Sequence, residues 1–448
     1  MHFLSLRFKK NSISRTLFFI SVFLFPIDSF PIFPTDNEYR PISFFFLLPI
    51  FFIYLTNLRL KKHDIIVVFL ILIISLQTLI ASIIILNEFG HIPKVFITLG
   101  ILEITSISFY YIISIELKKD FSVFLHKLGQ VCSWSLILIF VISFIQLISI
   151  LGILPVSLSE KITGIFSYRS VNRIQGISGE PSWMVRYLCL FGVISFFYYK
   201  GKWKSLINFL TIFFLLLSGS TYGYLVVLIS VLVYFVFFRF GFKLILLFSF
   251  LTLTFFLITK FLNNYEGNNY TLKRLSNVTS IISNPENLIF VLEKDGSMFQ
   301  RIVNPVIGFK SGEYSCYFGL GLDGYRYIYP DVINRDYSYA LRFDTVSAAA
   351  YGSSYITPKS LYSKIYSELG VPFFLFFLIM ILLIIKKIKS IRFISNHEYF
   401  FLAALFSISF VSILNTDSII NQSFIFSIYL CTMISNKIKN DFNYNPSS

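Results

Sequence analysis

Charge is scarce in this chain. Only 14% of its 448 residues are Asp, Glu, Lys or Arg, 56% are hydrophobic, and mean hydropathy is +0.74. A soluble chain of this length carries about 25% charged residues, so the composition excludes an ordinary globular protein. Cysteine is scarce too. Cys132, Cys189, Cys316 and Cys431 stand far apart and no CxxC occurs, which speaks against a disulfide framework and a thiolate zinc site. Histidine is confined to His2, His63, His91, His126 and His397. None falls in the two longer polar segments between apolar runs, so no histidine ligand or histidine base is expected there. The apolar runs lack the alternation of a membrane β-strand, and no internal repeat is visible.

What the chain has is apolar runs of roughly 17 to 25 residues, the length a helix needs to cross a bilayer. Only helices satisfy all their backbone polar groups within one such segment. The expectation is an all-α polytopic integral membrane protein with about twelve spans, near 14–34, 41–57, 64–87, 95–116, 130–153, 182–199, 204–219, 222–239, 242–261, 364–386, 399–414 and 420–436. Residues 1–262 then hold nine spans and a shorter loop at about 154–181, residues 263–363 one large loop, and residues 364–448 the last three spans and a tail. The least distinct division is at Ser218, Gly219 and Ser220.

Charge placement orients these spans. One set of short connections and ends holds 21 Lys and Arg residues, Arg7, Arg59, Lys118, Lys200 and Lys386 among them; the opposite short loops hold only Arg40 and Lys94. Basic loops stay in the cytoplasm, so both termini are expected there and the large loop outside. The +15 net charge is thus a topology signal spread among spans, not the one-sided patch of a nucleic-acid binder. The bilayer is the expected partner. The basic, apolar start resembles a signal peptide, but Phe30, Pro31, Ile32 and Phe33 stand where small cleavage-site residues belong, so an uncleaved first span is expected.

Polar chemistry collects in the two outer segments. The shorter one holds Arg169 and then the run from Arg173 to Trp183, with Glu180 just before Pro181. Proline suits the first position of a helix. A helix N-terminus beside two arginines can hold a phosphate; the plainer reading is a capped loop entering a span. Arg186 lies five residues past Pro181, inside the span, where an arginine is costly and needs a partner. Glu103 is at a comparable depth and is the expected partner; snorkelling to the interface is the alternative.

The large loop carries Arg301, Arg326, Lys359 and many tyrosines, Tyr355 among them. Arginines clamp phosphates bidentately, and tyrosine offers a flat face and a hydroxyl suited to sugars. Leu292 to Gly308 reads as an interfacial helix bearing Arg301. Gly319 to Gly324 is a glycine-rich turn with Asp323 inside it, outside any strand–turn–helix unit of the dinucleotide-binding kind. Lys364 and Glu368 stand four apart and are expected to pair along one helix face.

These pieces occur in a recognisable order: Arg173 to Trp183; Ser-Gly-Ser-Thr-Tyr-Gly at 218–223; Asp295 to Arg301; Phe318-Gly319-Leu320-Gly321; and Ser367 to Pro372. The chain resembles the O-antigen polymerase (Wzy) family, within the superfamily that also holds the O-antigen ligases. The resemblance implies a bacterial inner-membrane glycosyltransferase without a cofactor or metal. Its substrates would be oligosaccharides linked to undecaprenyl pyrophosphate, and a separate chain-length regulator is a possible partner. The ligases typically place a histidine in the large loop, and its absence favours the polymerase. On this reading Arg173 and Arg301 hold the pyrophosphate and Glu180 is the general base, with Asp323 as runner-up. Arg169, Arg186, Arg326, Tyr355 and Lys359 support substrate binding. The competing readings are an O-antigen ligase and a lipid-linked oligosaccharide flippase. A flippase should show repeats and broken mid-membrane helices, which are not apparent.

Overall fold

The computed structural model describes residues 2–32, 39–56, 61–168, 173–239, 292–293, 296–352 and 354–444. Arg169 and the span expected at 242–261 lie outside them. The described chain is helical, and its only β features are isolated bridges from Ser29 to Arg40 and to Ser167. The first part comprises α1 (His2–Phe23), α2 (Phe44–Leu55), α3 (Lys62–Ala81), α4 (Ile92–Lys119), α5 (Phe121–Ile150), α6 (Val156–Phe166), α7 (Pro181–Tyr198), α8 (Lys204–Leu217) and α9 (Thr221–Phe238). The large loop adds α10 (Gly296–Lys310), α11 (Tyr325–Asp336) and α12 (Asp344–Ala350). The helical run Leu361–Ser390, here α13, follows, then α14 (Asn396–Ser412) and α15 (Gln422–Tyr444). Among the described residues six helices are long and apolar enough to cross a membrane, and four more are apolar but shorter. The fold is that of an all-α membrane protein.

Boundaries differ from the expected ones where side chains intervene. The first run was expected to stay helical to residue 34, yet α1 ends at Phe23. Pro26 has no N–H for a helix ladder, and the buried Asp28 beyond it accepts the backbone N–H of Gly179 at 3.0 Å. The division at Ser218–Ser220 is real. The Ser220 hydroxyl caps α9 by accepting the Gly223 N–H at 3.0 Å. The shorter loop contains a helix of its own, α6.

Small residues let the helices approach. A Cβ on Gly129 of α5 would sit 2.7 Å from the backbone of Tyr198 on α7. One turn on, the Ser133 and Ser195 hydroxyls bond at 2.7 Å. This is how helices associate where lipid removes the hydrophobic drive. Around them, Phe18, Phe25, Phe109 and Phe426 form an edge-to-face aromatic centre.

The two ends of the bundle differ. At one, Arg15 reaches Glu116 at 2.7 Å and Lys61 lies over the Tyr110 ring, so basic residues from α1, the start of α3 and the end of α4 meet. The opposite ends of α3 and α4 receive the large loop. That loop has its own core, built on Phe299, Val303, Ile307, Tyr325, Tyr329 and Val332.

The loop is joined to the bundle through main chain. Residues Ile365–Leu369 of α13 form a π turn, which withdraws carbonyls from the helix ladder. The N–H of Leu320 donates to Ser367 O at 2.9 Å, and that of Gly321 to Glu368 O at 2.8 Å. Gln77 of α3 also donates to Glu368 O, at 3.0 Å. Gly319 sits at φ +99°, and a Cβ there would lie 2.6 Å from the same carbonyl. The glycine-rich turn is therefore a joint. Gly319→Ala is expected to cost at least about 1 kcal/mol and to lower the melting temperature in detergent. Gly90→Ala, whose Cβ would meet nothing within 4 Å, is the control; equal melting of the two variants would refute the joint.

Candidate functional site

At the loop-bearing end, a cavity of about 460 Å³ opens between the start of α7 and the large loop. Its cations are Arg301 on α10, Arg342 and Lys359; Glu180, Asp344 and Asp417 supply carboxylates, and Tyr39, Trp183 and Gln300 are also in the wall. Arg301 donates to Glu180 at 3.4 Å. Both are partly exposed, so this long contact is one an incoming anion can replace. Arg342 is within 3.8 Å of Glu293, also at the surface.

The start of α7 is held firmly. Pro181 opens the helix and Glu180 precedes it in extended conformation, as the sequence suggested. The turn from Ile174 to Gly179 before it is buried. Gln146 of α5 accepts the N–H groups of Gln175 and Gly176 at 3.0 and 2.9 Å, and Gly176 takes the left-handed φ of +60°. Asp28 fixes Gly179 from the other side.

Arg186 requires a correction. Its partner is Asp28, at 3.2 Å, with the Tyr187 hydroxyl at 3.0 Å, and not Glu103. Arg186 and Asp28 are both buried, which also rules out snorkelling. Arg186 lines none of the cavities described; it braces the floor beneath Trp183, over whose ring its guanidinium lies at 5.9 Å.

A second, smaller cavity, about 30 Å³, adjoins the first, with Tyr39 and Asp417 in both walls. Asp323, Tyr355, Thr357 and Lys364 line it as well. Asp323 accepts from the Tyr355 hydroxyl at 2.7 Å and from Lys364 at 3.4 Å. Burial works against its charge, but Lys364 and Tyr355 outweigh that and hold its carboxyl below the usual range. The expected Lys364–Glu368 pair forms, at 3.5 Å, so Lys364 bridges two carboxylates. Burial pushes the Tyr355 hydroxyl far up, and Lys94 lies 4.0 Å above its ring. On the other side of Tyr355 a third cavity, about 500 Å³, is lined by Lys94, Arg326 and Tyr327.

Of the residues expected from sequence, Glu180, Arg301 and Lys359 meet in one cavity and Asp323 and Tyr355 in the next. Arg326 faces the third. Arg173 is half-buried just before the anchored turn and lines none of the three. The expectation concerned histidines within the two longer segments; one from outside them packs against the large loop. His91, from the short α3–α4 connection, lies 5.2 Å from the Tyr327 ring and 3.2 Å from the Ser82 hydroxyl. It is fully buried, and burial, then Arg326, lowers its pKa, so it is held neutral.

Tyr39, Asp28, Arg342 and Asp417 were not singled out by sequence reasoning. Asp28 carried a usable signal, a carboxylate inside an apolar run. Among the described residues no group of three or more His, Cys, Asp or Glu side chains is arranged to hold a metal ion. No family model matches the chain, and no curated protein is similar to it.

Proposed function

We propose that this chain is a polysaccharide repeat-unit polymerase of the inner membrane. It moves a growing glycan from undecaprenyl pyrophosphate to a sugar hydroxyl on a lipid-linked repeat unit. The observation that carries this reading is the cavity that gathers Arg301, Arg342 and Lys359 at the bundle end remote from the basic helix ends. In the proposed topology, twelve spans put both termini in the cytoplasm and this cavity at the outer face, where lipid-linked oligosaccharides are presented. The six long helices and four shorter apolar ones support ten of these spans; the ninth expected span falls on residues outside the described set, and the last, at 420–436, falls in α15, which is in neither group.

The chemistry follows from the leaving group. A lipid pyrophosphate departs readily once its growing negative charge is met, and preorganised guanidinium groups meet it best in a site shielded from water. Arg301 is preset for this by Glu180, which holds it until a phosphate takes the carboxylate's place. Trp183 and Tyr39 give flat faces for sugar rings. Arg173, on the segment leading to Glu180, is assigned to the outer rim.

His91 bears on the ligase alternative. It touches the large loop, but it is fully buried and lines none of these cavities, so it has no path to an acceptor hydroxyl. The polymerase reading is therefore kept. Deleting the gene from its bacterium should leave lipid A–core bearing a single repeat unit. Lipid A–core bearing none, with lipid-linked polymer left behind, would identify a ligase instead.

A further inference from the structure

The proposed reaction needs a group to take the acceptor's proton, and of the two carboxylates suggested by sequence one sits on the leaving group's arginine and the other is held by a lysine and a tyrosine. Glu180 pairs with Arg301 and accepts from Ser182. Asp323 is held by Tyr355 and Lys364. Asp417 differs. It lies in the short connection between α14 and α15, in the wall shared by the arginine cavity and the small polar one. Its Oδ2 is buried, and no hydrogen-bond partner for it occurs among the described residues. The hydroxyl of Thr357, a buried residue in the small cavity's wall, is in the same condition. Two unmet polar atoms on residues that line one small space call for a polar guest. At about 30 Å³ that space holds roughly two water-sized groups: a hydroxyl and its carbon, not a sugar ring.

We infer that Asp417 is the general base of the transfer and that the small cavity takes the acceptor sugar's reacting end. This rests on the polymerase reading above. The acceptor oxygen bonds to the donor's anomeric carbon as the bond from that carbon to the pyrophosphate oxygen breaks. The acceptor's proton passes to Asp417 Oδ2, and the lipid pyrophosphate leaves with the bonding pair toward Arg301. Lys364 pairs with both Asp323 and Glu368 and so engages the adjoining carboxylates.

The test uses full-length protein in membranes, with the lipid-linked repeat unit extracted from the deletion strain as donor and acceptor. Asp417→Asn is expected to slow chain extension by about 10²–10⁴-fold while still binding the lipid-linked unit as wild type does. Asp417→Glu should recover part of the rate and keep the fall in rate at acid pH, whereas the residue of activity in Asp417→Asn should lose that acid limb. An Asp417→Asn enzyme within about threefold of wild type overturns the assignment. So does loss of binding in both variants, which would mark a structural role. Wild-type protein that extends nothing overturns the polymerase reading itself, and the assignment with it.

Discussion

Arg301→Ala should reduce glycan extension by about 10²–10³-fold, the usual cost of removing one preorganised donor from a developing anion. The long polysaccharide ladder should collapse to short products at unchanged protein level. The fold should tolerate the change, because the Glu180 left behind is partly exposed and exposed ion pairs contribute at most about 1 kcal/mol. Arg301→Lys should fall between, since lysine keeps the charge but loses the planar fork. Arg335, which pairs with Asp336 on the exposed side of α11, supplies the control: Arg335→Ala should give a wild-type ladder. A wild-type ladder in Arg301→Ala would remove the arginine cavity from the reaction.

The second large effect concerns stability. Asp28→Ala leaves the Arg186 guanidinium buried without its carboxylate. Breaking a buried pair from one side costs about 3–5 kcal/mol, enough to abolish folded protein in many membrane proteins. The double variant Asp28→Ala, Arg186→Met removes both charges and should regain much of the monodisperse yield in detergent, while Arg186→Met alone should not. If Asp28→Ala melts like wild type, the pair is not what holds the start of α7 in place.

The helices were legible because membrane spans are written in uninterrupted apolar length, and α3, α4 and α7 lie close to where that rule puts them, whereas α5 begins at Phe121, well before the expected 130. The end of α1 was not, because Pro26 and Asp28 act inside an apolar run whose average hides them. Lys364–Glu368 was readable because its partners share a helix face. Arg186–Asp28 was not: depth along two helices suggested Glu103, but depth says nothing about which side of a helix faces which neighbour. The site itself is assembled from Tyr39, Glu180, Arg301 and Asp417, three connections and one helix separated by most of the chain. Sequence shows each as a polar interruption and carries no record that they meet.

The joint between the glycine turn and the π turn is made mainly of amides and carbonyls, with glycine at 319, 321 and 370 and one side chain, Gln77, contributing. The walls of the arginine cavity that come from the loop, at Arg301, Arg342 and Lys359, hang from it. Such a mount lets the tool be exchanged without rebuilding the handle: side chains that line the cavity can change while the loop keeps its seat on the bundle.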